Sequence, residues 1–167
     1  MSITKDDLIK KYGMLSHPEG GFYAETFRSQ VTVQTEKGPR AASTAIYFLM
    51  SPGNLSRLHR IVSDEVWHFY LGHSITVIEL DDVTGDFKST ILGNNILDNE
   101  VVQYTVKGGT WFGSFPNLEQ NENNADVFSF VGCTVSPGFD FADFEMGSNS
   151  RLSETYPLAA AAGIINK

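Results

Sequence analysis

From residue 22 to 146 short runs of β-favouring residues, one of them at 74–80 in clear alternation, are separated by Gly, Pro, Asn and Asp turns, and a helical period appears only near the ends. Thr4 and Asp7 have capping-box spacing, Leu8, Ile9 and Tyr12 follow at helical spacing, and Gly13 stands where a helix stops, so residues 4–12 are predicted as one short helix. His17-Pro18-Glu19-Gly20-Gly21 reads as a loop. Strand-like runs then follow at 22–28, 44–50, 55–61, 65–71, 74–80, 87–92, 101–106, 110–115, 127–135 and 139–146. In the run 74–80, Ile75, Val77 and Glu79 face one way, and Thr76, Ile78 and Leu80 the other. Residues 116–125 are polar and rich in Asn, which predicts a surface loop. The tail at 150–165 has helical periodicity broken by Pro157, which predicts two short helices. No repeat or linker interrupts the pattern, so residues 1–167 are expected to form a single all-β domain, a sandwich or barrel with helices only at its ends.

Composition narrows the partners. The 167 residues include 41% hydrophobic, 12% aromatic and 19% charged residues, a balance that supports a packed core rich in strands. The net charge of -8 comes without a basic cluster, which opposes binding to nucleic acid. Cys133 is the single cysteine, so an internal disulfide and a thiolate metal cluster are excluded. The first residues contain no apolar signal-like run, and no stretch has the length needed to span a bilayer, so no membrane partner and a cytoplasmic location are expected.

Candidate chemistry concentrates at His59, Asp64, Glu65 and His68, since imidazole and carboxylate serve both proton transfer and metal ligation. Strand parity places Arg57, His59 and Ile61 on one face, and Glu65, Trp67 and Phe69 on the face opposite Val66, His68 and Tyr70. His68 and His73 are expected outside a central pocket, His17 near its rim, and Cys133 as a small buried hydrophobe.

These residues carry a resemblance. Gly53, His59, Glu65 and Gly72 have the spacing of the first motif of the cupin superfamily, with Ile61 in the place of its second histidine. The run Val106-Lys107-Gly108-Gly109-Thr110-Trp111 has the spacing of the second motif, with Val106 for proline and Trp111 for histidine. Further markers are His17–Tyr23, Ser43–Leu49, Asp64–Tyr70, Gly108–Phe112 and Gly132–Phe139, and with them the chain resembles the Cupin-5 group, formerly domain of unknown function 985. The resemblance implies a cupin jelly-roll β-barrel, commonly a homodimer, and kinship with sugar-nucleotide epimerases and with cupins that bind without turnover. Of four family metal ligands, His59 and Glu65 remain, so no cofactor is expected, and any divalent metal would be weakly held by those two.

The resulting expectation is a cupin that binds a small molecule: a sugar, a sugar nucleotide or a similar polar metabolite. His59 and Glu65 are the candidate catalytic pair, the imidazole as general base and the carboxylate orienting it. Arg57 is the candidate clamp for an anionic group. Trp67, Trp111 and Tyr47 are the candidate pocket walls. Whether the chain is an enzyme stays open. The alternatives are a sugar-type isomerase or epimerase using His59 and, second, a metal-dependent dioxygenase.

Overall fold

The computed structural model describes residues 3–117 and 127–165. Its elements in chain order are α1 (Lys5–Tyr12), β1 (Leu15–Ser16), β2 (Phe22–Arg28), β3 (Thr32–Thr35), β4 (Gly38–Ala41), β5 (Thr44–Met50), β6 (Ser56–Ile61) and β7 (Asp64–Gly72). They continue with β8 (Ile75–Leu80), β9 (Phe87–Leu92), β10 (Gln103–Val106), β11 (Phe112–Pro116), β12 (Ser129–Ser136), β13 (Phe144–Met146), α2 (Asn149–Thr155) and α3 (Pro157–Ala161). Two antiparallel sheets pack face to face, a six-stranded one in the order β1-β2-β5-β12-β7-β10 and a five-stranded one in the order β13-β6-β11-β8-β9. The architecture is an all-β jelly roll. No helix among the described residues is long and apolar enough to cross a membrane.

The inner faces of both sheets supply one core: Phe48 and Met50 from β5, Trp67 from β7, Ile75 and Val77 from β8, Phe112 from β11, and Val131 from β12. The outer faces are covered as well, which is why β8 and β12 are buried on both sides. Leu8 of α1 and Met14 just after it pack on Leu49 and Phe130 of the six-stranded sheet. Leu152, Tyr156 and Ala159 of the C-terminal segment pack on Leu80 and Trp111 of the other.

The expected helices form for the expected reasons. Thr4 caps α1 in a full capping box with Asp7, and Gly13 ends it in the left-handed conformation. Pro157 opens α3 at its first turn, dividing the tail into two helices. The run 139–146 is only partly extended, because a 3-10 turn at Phe141–Asp143 precedes β13. The hairpin of β3 and β4 is not predicted from the sequence, since Thr32–Thr35 and Gly38–Ala41 contain no run of apolar side chains. Arg40 ties it to the body through a bidentate bond to Asp143, at 2.8 and 3.0 Å. Of the expected loop at 116–125, Pro116 ends β11, and residues 118–125 lie outside the described residues.

Candidate functional site

One end of the space between the sheets is packed solid, where Trp67 meets Phe48 and Phe112 edge-on with ring centroids 6.0 and 6.4 Å apart. The other end holds a cavity of about 360 Å³ lined by His17, Glu19, His59, Glu65, Cys133 and Phe144, among others. Burying an ionisable group is costly unless it is paired or neutral, so each such group here needs an account.

His59 comes from β6. Its Nδ1–H donates to the Arg57 carbonyl at 2.7 Å, which leaves Nε2 facing the Glu19 carboxylate, 2.8 Å away. Burial opposes charge on the ring, but the Glu19 carboxylate outweighs it, so the pKa of His59 is raised and the imidazolium is favoured. Burial likewise opposes charge on Glu19, yet the His59 charge and hydrogen bond win and hold Glu19 below its ordinary value. Together they form a buried ion pair. Its two ring nitrogens are therefore both engaged, and the partner that orients the imidazole is Glu19, where the sequence pointed to Glu65.

Glu19 reaches the cavity because of the His17–Gly21 turn. Gly20 has φ +121, and a Cβ there would stand 2.0 Å from the Leu55 carbonyl oxygen, so only glycine lets the turn lie this close to the chain before β6. The Arg57 N–H donates to the Glu19 carbonyl at 2.9 Å and secures the turn. His17 accepts the Glu19 N–H at Nδ1, 3.3 Å away, and burial lowers its pKa against the opposing charge of Glu19, so its neutral form is favoured. The signal that could have revealed Glu19 was local: a carboxylate between Pro18 and paired glycines, beside a histidine already placed at the rim.

Glu65, on β7, is 8% exposed. Burial raises its pKa to about 7, reinforced by the nearby Glu19 charge and resisted by His59 and by a hydrogen bond from Cys133. Cys133 is buried, and burial pushes its thiol well above the ordinary range, with Glu65 adding to the shift. The shift disfavours the thiolate, which is the nucleophilic form. The cavity thus holds a fixed ion pair beside a carboxyl group that exchanges its proton near neutral pH.

The remaining expected residues lie elsewhere. Arg57 is exposed and does not line the cavity, since its Nη2 donates to the Pro18 carbonyl at 2.6 Å from outside. The reason is a bulge: β11 pairs Phe112 with His59 and Ser114 with Ser56, so two residues of β6 oppose Gly113 and strict alternation breaks. Ser56 and His59 both turn inward, and Arg57 turns out. Trp67 is on the inner face, but at the solid end, 1% exposed. Trp111 points outward beneath the C-terminal helices, with the Arg60 guanidinium 4.6 Å from its ring centroid. Its neighbour Phe112 takes the inward place, 4.2 Å from the His59 ring. Tyr47 lies on the outer face of β5, packed on Tyr12 of α1 at 4.7 Å. His68 is also outside the cavity, with Nε2 3.2 Å from the Thr134 hydroxyl.

A metal of the kind the cupin fold implies does not suit these residues. The second histidine place is the apolar Ile61, the later one is Trp111 outside the cavity, and His59 is spent on Glu19. Among the described residues no cluster of three or more His, Cys, Asp or Glu side chains has the arrangement to hold an ion.

The family model Cupin_5, described as "Cupin superfamily (DUF985)", matches residues 6–147. "Uncharacterized protein YML079W" of Saccharomyces cerevisiae is 31% identical over 148 residues, 81% of this chain and 71% of that one. A solved structure of a hypothetical protein from Leishmania major superposes with a TM-score of 0.87 at 36% identity, covering 98% of this chain and 97% of that one. The oxalate decarboxylase of Lactobacillus farciminis, solved as its formate complex, has a TM-score of 0.53 at 13% identity over 93% of this chain and 41% of its own. That last likeness is one of fold alone.

Proposed function

This chain belongs to the Cupin_5 family of the cupin superfamily, and from that premise we propose that it binds one small polar molecule in the open end of its jelly roll. One observation carries the reading. Among the described residues the acidic residues and histidines that are buried as whole residues are Glu19, His59 and Glu65, and all of them line this one cavity. Groups that serve folding alone are buried in close-packed surroundings, whereas these border open space of a size that suits a single-ring metabolite. A monosaccharide or an analogue of that bulk fits this volume. A sugar nucleotide fits less well, because Arg57, its expected anion clamp, is turned away.

Proton transfer is a second reading, supported by Glu65. A carboxyl group that titrates near 7 can give or take a proton at neutral pH, so an isomerase would use Glu65 as its acid–base group beside the Glu19–His59 pair. The test is native mass spectrometry of the purified protein, followed by thermal shift with small sugars, polyols, amines and carboxylic acids. A retained or added molecule that raises the melting temperature, and loses its effect on filling the cavity by Cys133→Phe, supports binding. No stabilisation by any class would end the reading. Deuterium uptake from solvent into the bound molecule, abolished by Glu65→Gln, would identify turnover.

A further inference from the structure

We propose that the molecule held in this cavity is a small organic cation, whose ammonium or amidinium group seats against Glu65 and whose apolar part lies against Phe139 and Phe144. The inference rests on the reading of the cavity as a binding site and adds the charge class of its ligand.

The lining contains four carboxyl groups, Glu19, Glu25, Glu65 and Asp140, against one guanidinium, Arg28. The positive groups are already spent. Arg28 donates from Nε and Nη2 to Glu25, at 2.9 and 2.6 Å, and from Nη1 to the Phe139 carbonyl, at 3.2 Å. The charge of His59 is matched by Glu19 at 2.8 Å, and burial shifts His17 toward its neutral form. An anionic ligand would therefore meet no free partner in the cavity, and would face a surplus of negative charge. Glu65 is in the opposite position. Its side chain is more than nine-tenths buried and lines the cavity, and among the described residues its hydrogen-bond partner is the Cys133 thiol, a poor donor.

The walls agree with this. Tyr23, Phe139, Phe141 and Phe144 line the same space as the carboxyl groups. Phe144 stacks on His59 at 5.3 Å and meets Phe139 edge-on at 6.2 Å. Aromatic rings beside carboxylates favour ammonium ions, since the ring faces carry negative quadrupole density. A neutral polyol would gain hydrogen bonds from the carboxyl groups but no charge attraction to the ring faces.

Binding then has a proton balance. Below neutrality Glu65 carries a proton; when a cation arrives, the carboxyl group ionises, the ligand keeps its charge, and one proton leaves to the buffer. The charged or titratable groups around Glu65 are Glu19 from the turn, His59 from β6, Cys133 from β12, and His17, Tyr23, Glu25, Arg28 and Asp140 further out in the lining. Glu19 is shifted down and Cys133 far up, so neither changes state between pH 5.5 and about 7. The raised pKa of His59 keeps it protonated over the lower part of that range.

Matched probes test the charge class: cyclohexylamine, cyclohexanol and cyclohexanecarboxylate, with benzylamine, benzyl alcohol and benzoate, each titrated calorimetrically into the full chain in two buffers of different ionisation enthalpy. The expected result is binding by the amines at least about tenfold tighter than by the alcohols, no binding by the carboxylates, and release of close to one proton per amine at pH 6. Amine affinity should fall as pH drops from 7 to 5.5, and Glu65→Gln, which keeps the size and fold, should weaken it about tenfold or more. Alcohols or carboxylates binding as well as amines, amine binding without proton release, or an unaffected Glu65→Gln variant would each overturn the cation while leaving a binding cavity in place. Failure of both amines overturns it too, and the wider thermal-shift panel then decides whether the cavity binds anything.

Discussion

Glu19 and His59 meet at 2.8 Å although one lies on a glycine turn and the other on the bulged strand β6. The pair joins two segments that are far apart in sequence and supplies the fixed charges of the cavity. Glu19→Gln removes the anion, so burial should carry the pKa of His59 from above its ordinary 6.5 to below it. Stability from His59 is present below pH 6.5 and lost as pH rises through its raised value, and that from Glu19 is present above 4.5 and lost as pH falls through its lowered value. The variant should therefore lose about 3–5 kcal/mol, most clearly between those two pH values, by denaturant unfolding. NMR titration of the His59 ring follows the shift, and an unchanged midpoint would mean that Glu19 is not its partner in solution.

Glu65 has the opposite pH signature. Its folded pKa is about 7 against an ordinary 4.5, so its contribution is whole below pH 4.5 and declines as pH rises to 7. Glu65→Gln has no proton to lose, and at pH 8 it should be more stable than the parent by on the order of 3 kcal/mol. Parallel stability–pH curves for the two proteins would show that the carboxyl is not shifted.

Arg57 acts on the turn. Arg57→Met keeps the stem of the side chain but removes the bond to the Pro18 carbonyl, and should cost about 1 kcal/mol. As a positioning residue it should also lower the His59 midpoint, because Glu19 is held less firmly. A ligand-clamping role predicts a different outcome: weaker binding of anions with the His59 titration unmoved.

Trp111 belongs to the packing of α2 and α3. Trp111→Ala should cost about 3–5 kcal/mol and speed hydrogen exchange across 149–161, with ligand affinity in the cavity unchanged. Loss of binding without loss of stability would return Trp111 to the pocket wall.

Strand order of burial was readable wherever the ladder is regular. Glu65 and Trp67 share the inner face as strand parity requires, and Ile75 and Val77 do the same on β8. Parity failed at Arg57, because an extra residue in one strand of a ladder reverses the side chains beyond it without any mark in the hydrophobic pattern. Trp111 failed for another reason. It lies just ahead of β11, and large aromatic residues suit an inner wall and a covered outer face equally well.

By itself the sequence determined what depends on neighbours along the chain. β-favouring runs became strands, Thr4 and Gly13 bounded a helix, Pro157 divided the tail, and the family resemblance implied a jelly roll. Only the tertiary structure decided which groups share the cavity. The approach of Glu19 to His59, the depth that brings Glu65 to neutrality, and the filling of one end by Trp67 depend on distances between strands that are remote in sequence. Charge and burial act through space, and an alternating pattern records the face of a residue but not its depth or its opposite number.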